Sequence, residues 1–204
     1  MKPATITAPR SPDRRRAILE AALQCFVRRG YAVTTIDDVL RGSGASVGSV
    51  YHHFGSKERI AAELYVEALR DYQHGFLAAL EQARDAESGV RGMSVYHLGW
   101  VRDHADQARF LFQERPPEVE QAAAAELREM NRHFFRRVQD WLDVQVEAGA
   151  IRPLPRELFH VIVIGPCQEL SRHWLAGRMR IDIKLAQREL GEAAWAALRR
   201  RSGP

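Results

Sequence analysis

Two cysteines in 204 residues, Cys25 and Cys167, lie far apart and outside any metal-type spacing, which excludes a disulfide scaffold and fits reduced thiols. No apolar run approaches the roughly 20 residues of a membrane-spanning helix, so no membrane partner is expected. The opening MKPATITAPRSPD also lacks the apolar centre of a secretory signal, and a cytoplasmic protein is the expectation. Missing too are the G-x-S-x-G elbow, the phosphate-binding P-loop, the dinucleotide glycine fingerprint and the H-E-x-x-H zinc motif. Eight histidines are present but scattered. His97 and His104 share one helical stretch and His160 and His173 another, with no convergent ligand set around either pair. These absences argue against an enzyme, and neither a cofactor nor a metal is expected.

What is present is ordinary for a globular chain of one or two domains: 46% hydrophobic and 27% charged residues. The net charge of +4 says little by itself. Its distribution says more, because residues 1–60 hold ten Lys and Arg against five Asp and Glu, while the remainder is nearly balanced. An excess of positive charge in one module is what contact with a polyanion requires.

Within that basic portion, Thr34 to Lys57 reads TTIDDVLRGSGASVGSVYHHFGSK. Thr35 is placed to cap a short helix whose Ile36, Val39 and Leu40 repeat at the spacing of one buried face. Gly44 ends that helix, and Ser46 caps a second one running from Val47 to His53. The pattern predicts a helix-turn-helix. Gly48 and Ser49 are poor helix formers placed side by side, which suits a helix pressed against a DNA groove better than one serving only packing. Val50 should point inward, with Val47, Ser49, Tyr51 and His52 outward. Tyr51, His52, His53 and Lys57 then supply donors for phosphate oxygens.

The same stretch resembles the TetR/AcrR-type transcriptional regulators, whose fingerprint T-(V/I)-x-x-(I/V)-A-x-x-A-G-V-S-x-G-x-(I/L/V)-Y-x-H-F-x-(S/N)-K-E is matched by residues 35–58. The departures are Leu40 and Ser43 where Ala is usual and Ala45 where Val is usual, all at packing positions. The resemblance implies that Thr35, Ser46, Ser49, Tyr51, His53 and Lys57 touch phosphates of a double-stranded DNA operator. It also implies that Val47, Gly48 and His52 lie nearest the bases. A valine at the first outward position points to an apolar contact, for instance with a thymine methyl.

The rest of the chain reads as helices. Residues 1–11, with two prolines, are expected to form a loose arm. A helix follows from Ser11 and Pro12, burying Ile18, Ala22, Cys25 and Phe26 and ending at Arg28, Arg29 and Gly30. A longer one runs from Ser56 to about Ala83, with Gly75 as a point of bending and Asp85 to Gly92 as the loop after it. From Met93 to Gln113 a helical pattern breaks near His104. Tyr96, His97, Trp100, His104, Phe110 and Phe112 concentrate there, and with Phe134 and Trp141 of the next long helix they are candidates for lining a small-molecule pocket. Such an aromatic stripe also suits a plain core. That long helix spans Val119 to Ala148. The run LFHVIVI, Leu158 to Ile164, is apolar nearly all round and so needs cover on every side. Leu158, Val161, Ile162 and Gly165, with Leu190, Ala194 and Leu198 of the last helix, form the expected homodimer interface, as the resemblance also implies.

The sequence therefore predicts an all-α fold, with an N-terminal three-helix helix-turn-helix DNA-binding domain (12–56) followed by a helical ligand-binding and dimerisation domain (57–199), flanked by the arm (1–11) and a tail (200–204). The expected function is that of a ligand-responsive homodimeric regulator, a repressor released from a palindromic operator by an unknown small apolar or amphipathic effector. A constitutive or architectural DNA-binding dimer without such a ligand is the alternative.

Overall fold

The computed structural model describes residues 11–112 and 116–200, and these form nine α-helices with one isolated β-bridge. The expected arm, apart from Ser11, and the tail beyond Arg200 lie outside the described residues. The described chain falls into two compact units, residues 11–66 with 116–124 and residues 67–112 with 125–200.

The N-terminal unit contains α1 (Ser11–Arg29), α2 (Ile36–Ser43), α3 (Val47–His53), the beginning of α4 (Lys57–Glu81) and the first turns of α7 (Pro117–Glu147). Its interior is built from Ile18, Ala22 and Phe26 of α1, Val39 of α2, Val50 of α3 and Ile60 and Ala61 of α4, all without solvent exposure. Burying each of the larger side chains contributes about 1.5–3 kcal/mol, so three short segments that could not hold a helical shape alone do so around Phe26. Cys25 is half-buried. Gly30 and Gly44 both have positive φ, 86° and 64°, and the N–H of each closes the preceding helix onto Phe26 O and Leu40 O.

The C-terminal unit contains the rest of α4 and α7, together with α5 (Ala86–Asp103), α6 (Ala105–Phe112), α8 (Arg156–Leu175) and α9 (Ile183–Leu198). Phe76, Leu80, Val90, Met93, Phe134, Leu142, Ile151, Val163 and Leu198 form one continuous core. A second group gathers Leu98, Cys167, Ile183 and Ala186. Helix α9 lies close along α5, where a Cβ on Gly191 would stand 3.4 Å from the Cα of Arg91.

One expectation is corrected here. Asp85 to Gly92 is not a loop: Asp85 caps α5 in a reciprocal box with Ser88, and Gly89 and Val90 are buried in its first turns. Cap and burial together outweigh the poor helix propensity of two glycines and a serine. The run Leu158 to Ile164, expected to lie between the core and a second subunit, is covered by its own chain on one side only. Phe159, Val163 and Ile164 are buried, whereas Leu158 and Val161 stand 47% and 59% exposed.

Candidate nucleic-acid interface

Helix α3 is short and is held from both sides. The Ser46 hydroxyl accepts a hydrogen bond from Ser49 N at 3.2 Å, and Val50 anchors the inner face. Val47 and Tyr51, four residues apart and thus on one stripe of the helix, are 55% and 54% exposed. Between them a Cβ on Gly48 would meet nothing within 4 Å, so the outward surface of α3 is low and open there. His52 is exposed, while Ser49 and His53 are half-buried, and the two imidazoles stand edge to face with centroids 5.3 Å apart. Ser46, Val47, Gly48, Ser49, Tyr51, His52 and His53 thus lie together on the cap and the few turns of α3, with Val50 as their only buried companion on that helix.

Thr35 and Lys57 are already engaged within the fold. Thr35 Oγ1 accepts from Asp38 N at 3.2 Å and donates to Asp38 Oδ2 at 2.8 Å, while Thr35 N donates to the same carboxylate at 2.9 Å. The Lys57 ammonium donates to Thr34 O at 3.0 Å and Tyr31 O at 3.2 Å, and sits 4.3 Å from the centre of the Tyr31 ring. It ties the start of α4 to the turn before α2, leaving one of its three N–H donors for an outside oxygen.

Sequence reasoning missed Asp38. Its side chain is 7% exposed, and beyond Thr35 it accepts from Arg29 Nη1 at 2.6 Å and from Arg41 Nη2. The hydrogen bonds from Thr35, helped by the Arg29 guanidinium, hold this carboxyl far below the usual carboxylate range. The signal in the sequence is T-x-x-D, the acidic form of a capping box.

Most of the aromatic candidates of the C-terminal unit pack against one another in its interior. Tyr72 stands at their centre, its hydroxyl 2.8 Å from His97 Nδ1 and its ring 5.7 Å from Tyr96 and 5.2 Å from Trp100. His97 Nε2 lies 3.5 Å from Ser171 Oγ, and burial pushes the imidazole down to about 4. Trp100 Nε1 donates to Asp71 Oδ2 at 2.7 Å, and His104 stacks on the indole at 5.0 Å. Phe110 is buried, Phe112 packs beside Trp100 and Val101, and Phe134 stands edge-on to Phe76 at 5.3 Å. Trp141 differs. It borders a groove of about 260 Å³ with Leu77, Leu80, Glu81, Arg137, Asp140 and Val144, and none of the other seven candidates contributes to that wall.

The expected dimer surface divides likewise. Leu158, Val161, Ile162 and Gly165 form an exposed to half-buried row on α8. Ala194 and Leu198 are corrected, since both belong to this chain's own core, while Leu190 is half-buried against the group around Leu98. Their regular spacing marks the face of α9 turned toward α5, not one left for a partner. Among the described residues no group of three or more His, Cys, Asp or Glu could hold a metal ion. No described helix is long and apolar enough to cross a membrane.

Residues 18–64 match the family described as bacterial regulatory proteins, tetR family. The chain is 25% identical to the HTH-type transcriptional regulator YhgD of Bacillus subtilis, over 76% of this chain and 80% of that one. It is 26% identical to the HTH-type transcriptional repressor KstR2 of Rhodococcus jostii, over 97% of this chain and 83% of that one. Among solved structures, the fatty acid degradation regulator FadR from Bacillus halodurans superposes with a TM-score of 0.76 at 16% identity, covering 98% of this chain and all of that one. The ketosteroid regulator KstR2 of Mycobacterium tuberculosis gives 0.70 at 21% identity, over 92% and 96%. The last two matches concern the fold, and the matched helix-turn-helix with the two sequence relatives carries the rest: residues 18–64 form a helix-turn-helix of the TetR family, and the chain is a DNA-binding transcriptional regulator.

Proposed function

We propose that two copies of this chain present α3 to successive major grooves of a near-palindromic operator, about 34–36 Å apart, and that the bound dimer represses transcription. The observation that carries this reading is the α3 surface. An exposed valine and an exposed tyrosine share one stripe beside an open glycine, on a helix capped by Ser46 and anchored by buried Val50. Val47 supplies an apolar contact to base edges, and Ser46, Ser49, Tyr51 and His53 hold phosphates on either side. Thr35 adds a hydroxyl at the start of α2, and Lys57 its one remaining donor. The exposed row on α8 supports pairing of two chains, since Leu158 and Val161 leave apolar surface uncovered. Repression is carried over from the similarity to the transcriptional repressor KstR2 of Rhodococcus jostii.

The second element of the proposal is release by a small apolar or amphipathic effector bound in the C-terminal unit. A ligand moves the equilibrium only by binding the non-DNA-binding state more tightly. The groove beside Trp141 supports an entry point there. The direct contact of Tyr72 with His97 supports the other reading, a constitutive DNA-binding dimer.

Selection of duplexes from a random pool by the purified protein tests both readings. The first requires symmetric half-sites, a dimer by sedimentation, and at least one compound class that raises the melting temperature while releasing the duplex. Asymmetric sites and a monomer would overturn the operator model. Flat melting across a broad metabolite panel, with duplex binding unaffected, would leave the constitutive dimer.

A further inference from the structure

We propose that Asp38 is a positioning residue for DNA binding, one carboxylate that aims the guanidinium groups of Arg29 and Arg41 as a paired clamp on backbone phosphate beside the start of α2. The two oxygens of Asp38 have separate tasks. Oδ2 takes the amide and hydroxyl of Thr35 and so fixes the first turn of α2. Oδ1 takes Arg29 Nη1 and Arg41 Nη2, drawing the tips of two side chains from different helices to one point. Arg41 reaches there because helical side chains lean toward the N-terminus of their helix, and Arg29 because it ends α1 just before the turn into α2.

Neither guanidinium is consumed by this arrangement. The side chains of Arg29 and Arg41 remain 53% and 73% exposed while that of Asp38 is 7% exposed, so the anion is inside and the cations outside. Each guanidinium carries five N–H donors, and the carboxylate engages one of each among the bonds described. A planar fork held by one edge presents its others in fixed directions, which suits the tetrahedral oxygens of a phosphate. Free arginines on the same surface would lose more side-chain entropy on binding.

Bulk charge does not give the same result. Asp37, exposed in the first turn of α2, joins Asp38 to balance the two arginines, so the local sum is near zero. Attraction there depends on where the forks point rather than on how much positive charge is present. This reading goes beyond the α3 surface, since α3 contributes none of the four residues.

The test uses the full chain, a duplex enriched from a random pool by the wild-type protein, and an unrelated duplex of equal length. Affinity is measured across potassium chloride from about 50 to 200 mM. Arg29→Gln and Arg41→Gln should each weaken binding to both duplexes alike and lower the steepness of log affinity against log salt by about one. Asp38→Asn adds positive charge, so simple electrostatics predicts tighter binding. The proposal predicts binding several-fold weaker, with a flatter salt dependence at temperatures well below melting. Asp38→Asn binding as tightly as wild type or more so would overturn it, because the carboxylate would then only neutralise. If Asp38→Asn melts too early to measure, the two exposed arginine variants decide. Wild-type affinity and salt dependence in both overturns the clamp, and a reduced steepness in both supports it.

Discussion

A Cβ placed on Gly75 would lie 2.3 Å from the hydroxyl oxygen of Tyr96, and 2.8 Å from two carbons of its ring. The tyrosine lies against the backbone of α4 and donates from that hydroxyl to Tyr72 O at 3.0 Å. Gly75 therefore serves this close approach, and α4 continues through it from Lys57 to Glu81. Glycine is otherwise a poor choice in the middle of a helix.

Gly75→Ala should accordingly destabilise the protein by about 1–3 kcal/mol, although alanine is the better helix former. Urea denaturation measures the loss. Combining it with Tyr96→Leu should cost less than the sum of the two single changes, because the smaller side chain vacates the space the methyl needs.

Burial holds His97 at about 4, against the ordinary 6.5. Between those values the unfolded chain binds a proton that the folded chain refuses. Stability is therefore unaffected by this group above about pH 6.5 and falls as pH drops toward 4, by as much as about 3 kcal/mol. Denaturation midpoints measured from pH 7.5 to 4.5 should show the decline, and His97→Gln should remove a large share of it.

Gly89→Ala addresses the groove. Its methyl would stand 2.3 Å from Cζ2 of Trp141, so the indole must leave its seat against α5. We expect a red-shifted tryptophan emission as the ring meets water, with a loss of about 1–3 kcal/mol. An unchanged spectrum would mean the ring is held elsewhere.

Val161→Glu tests the α8 surface. A carboxylate in the middle of an apolar subunit contact would be desolvated without a partner, so the variant should sediment as a monomer and lose affinity for a symmetric site. Because Val161 is 59% exposed in a single chain, the monomer's melting temperature should stay within a few degrees of a matched Val161→Ala variant. Leu198→Ala gives the contrast, since that side chain is buried within its own chain and its loss should cost about 2–5 kcal/mol.

The helix-turn-helix was legible because its determinants are local. Thr35 and Ser46 cap, Gly44 turns and Val39 and Val50 point inward, each within a few residues of the backbone group it serves. Arg29 meeting Arg41 on Asp38 was not legible, since that depends on how α1 and α2 meet and on rotamers that spacing does not specify. The same limit applies to the aromatic residues. Periodicity places Tyr96, Trp100 and Phe134 on inward faces, but whether such faces enclose a void or close upon one another is decided by Tyr72, which carried no motif of its own. In α9 the regular row of Leu190, Ala194 and Leu198 was visible, yet a row says only that a face is covered, not whether its own chain or a second one covers it.

The isolated bridge between Ile151 and Arg199 fastens the end of α9 to the turn that follows α7. Arg152 N donates to Leu198 O at 2.9 Å, Arg200 N donates to Ala150 O at 3.0 Å, and Arg152 Nε reaches Ala197 O at 2.8 Å. Two amides outside any helix thereby acquire the protection of a miniature sheet, and they should trade their hydrogens with heavy water far more slowly than neighbouring loop positions. Ending the polypeptide at Ala197 would delete the second amide and leave that of Arg152 without its acceptor, and protease cleavage would then begin at the turn near Arg152, the point from which α8 would come loose.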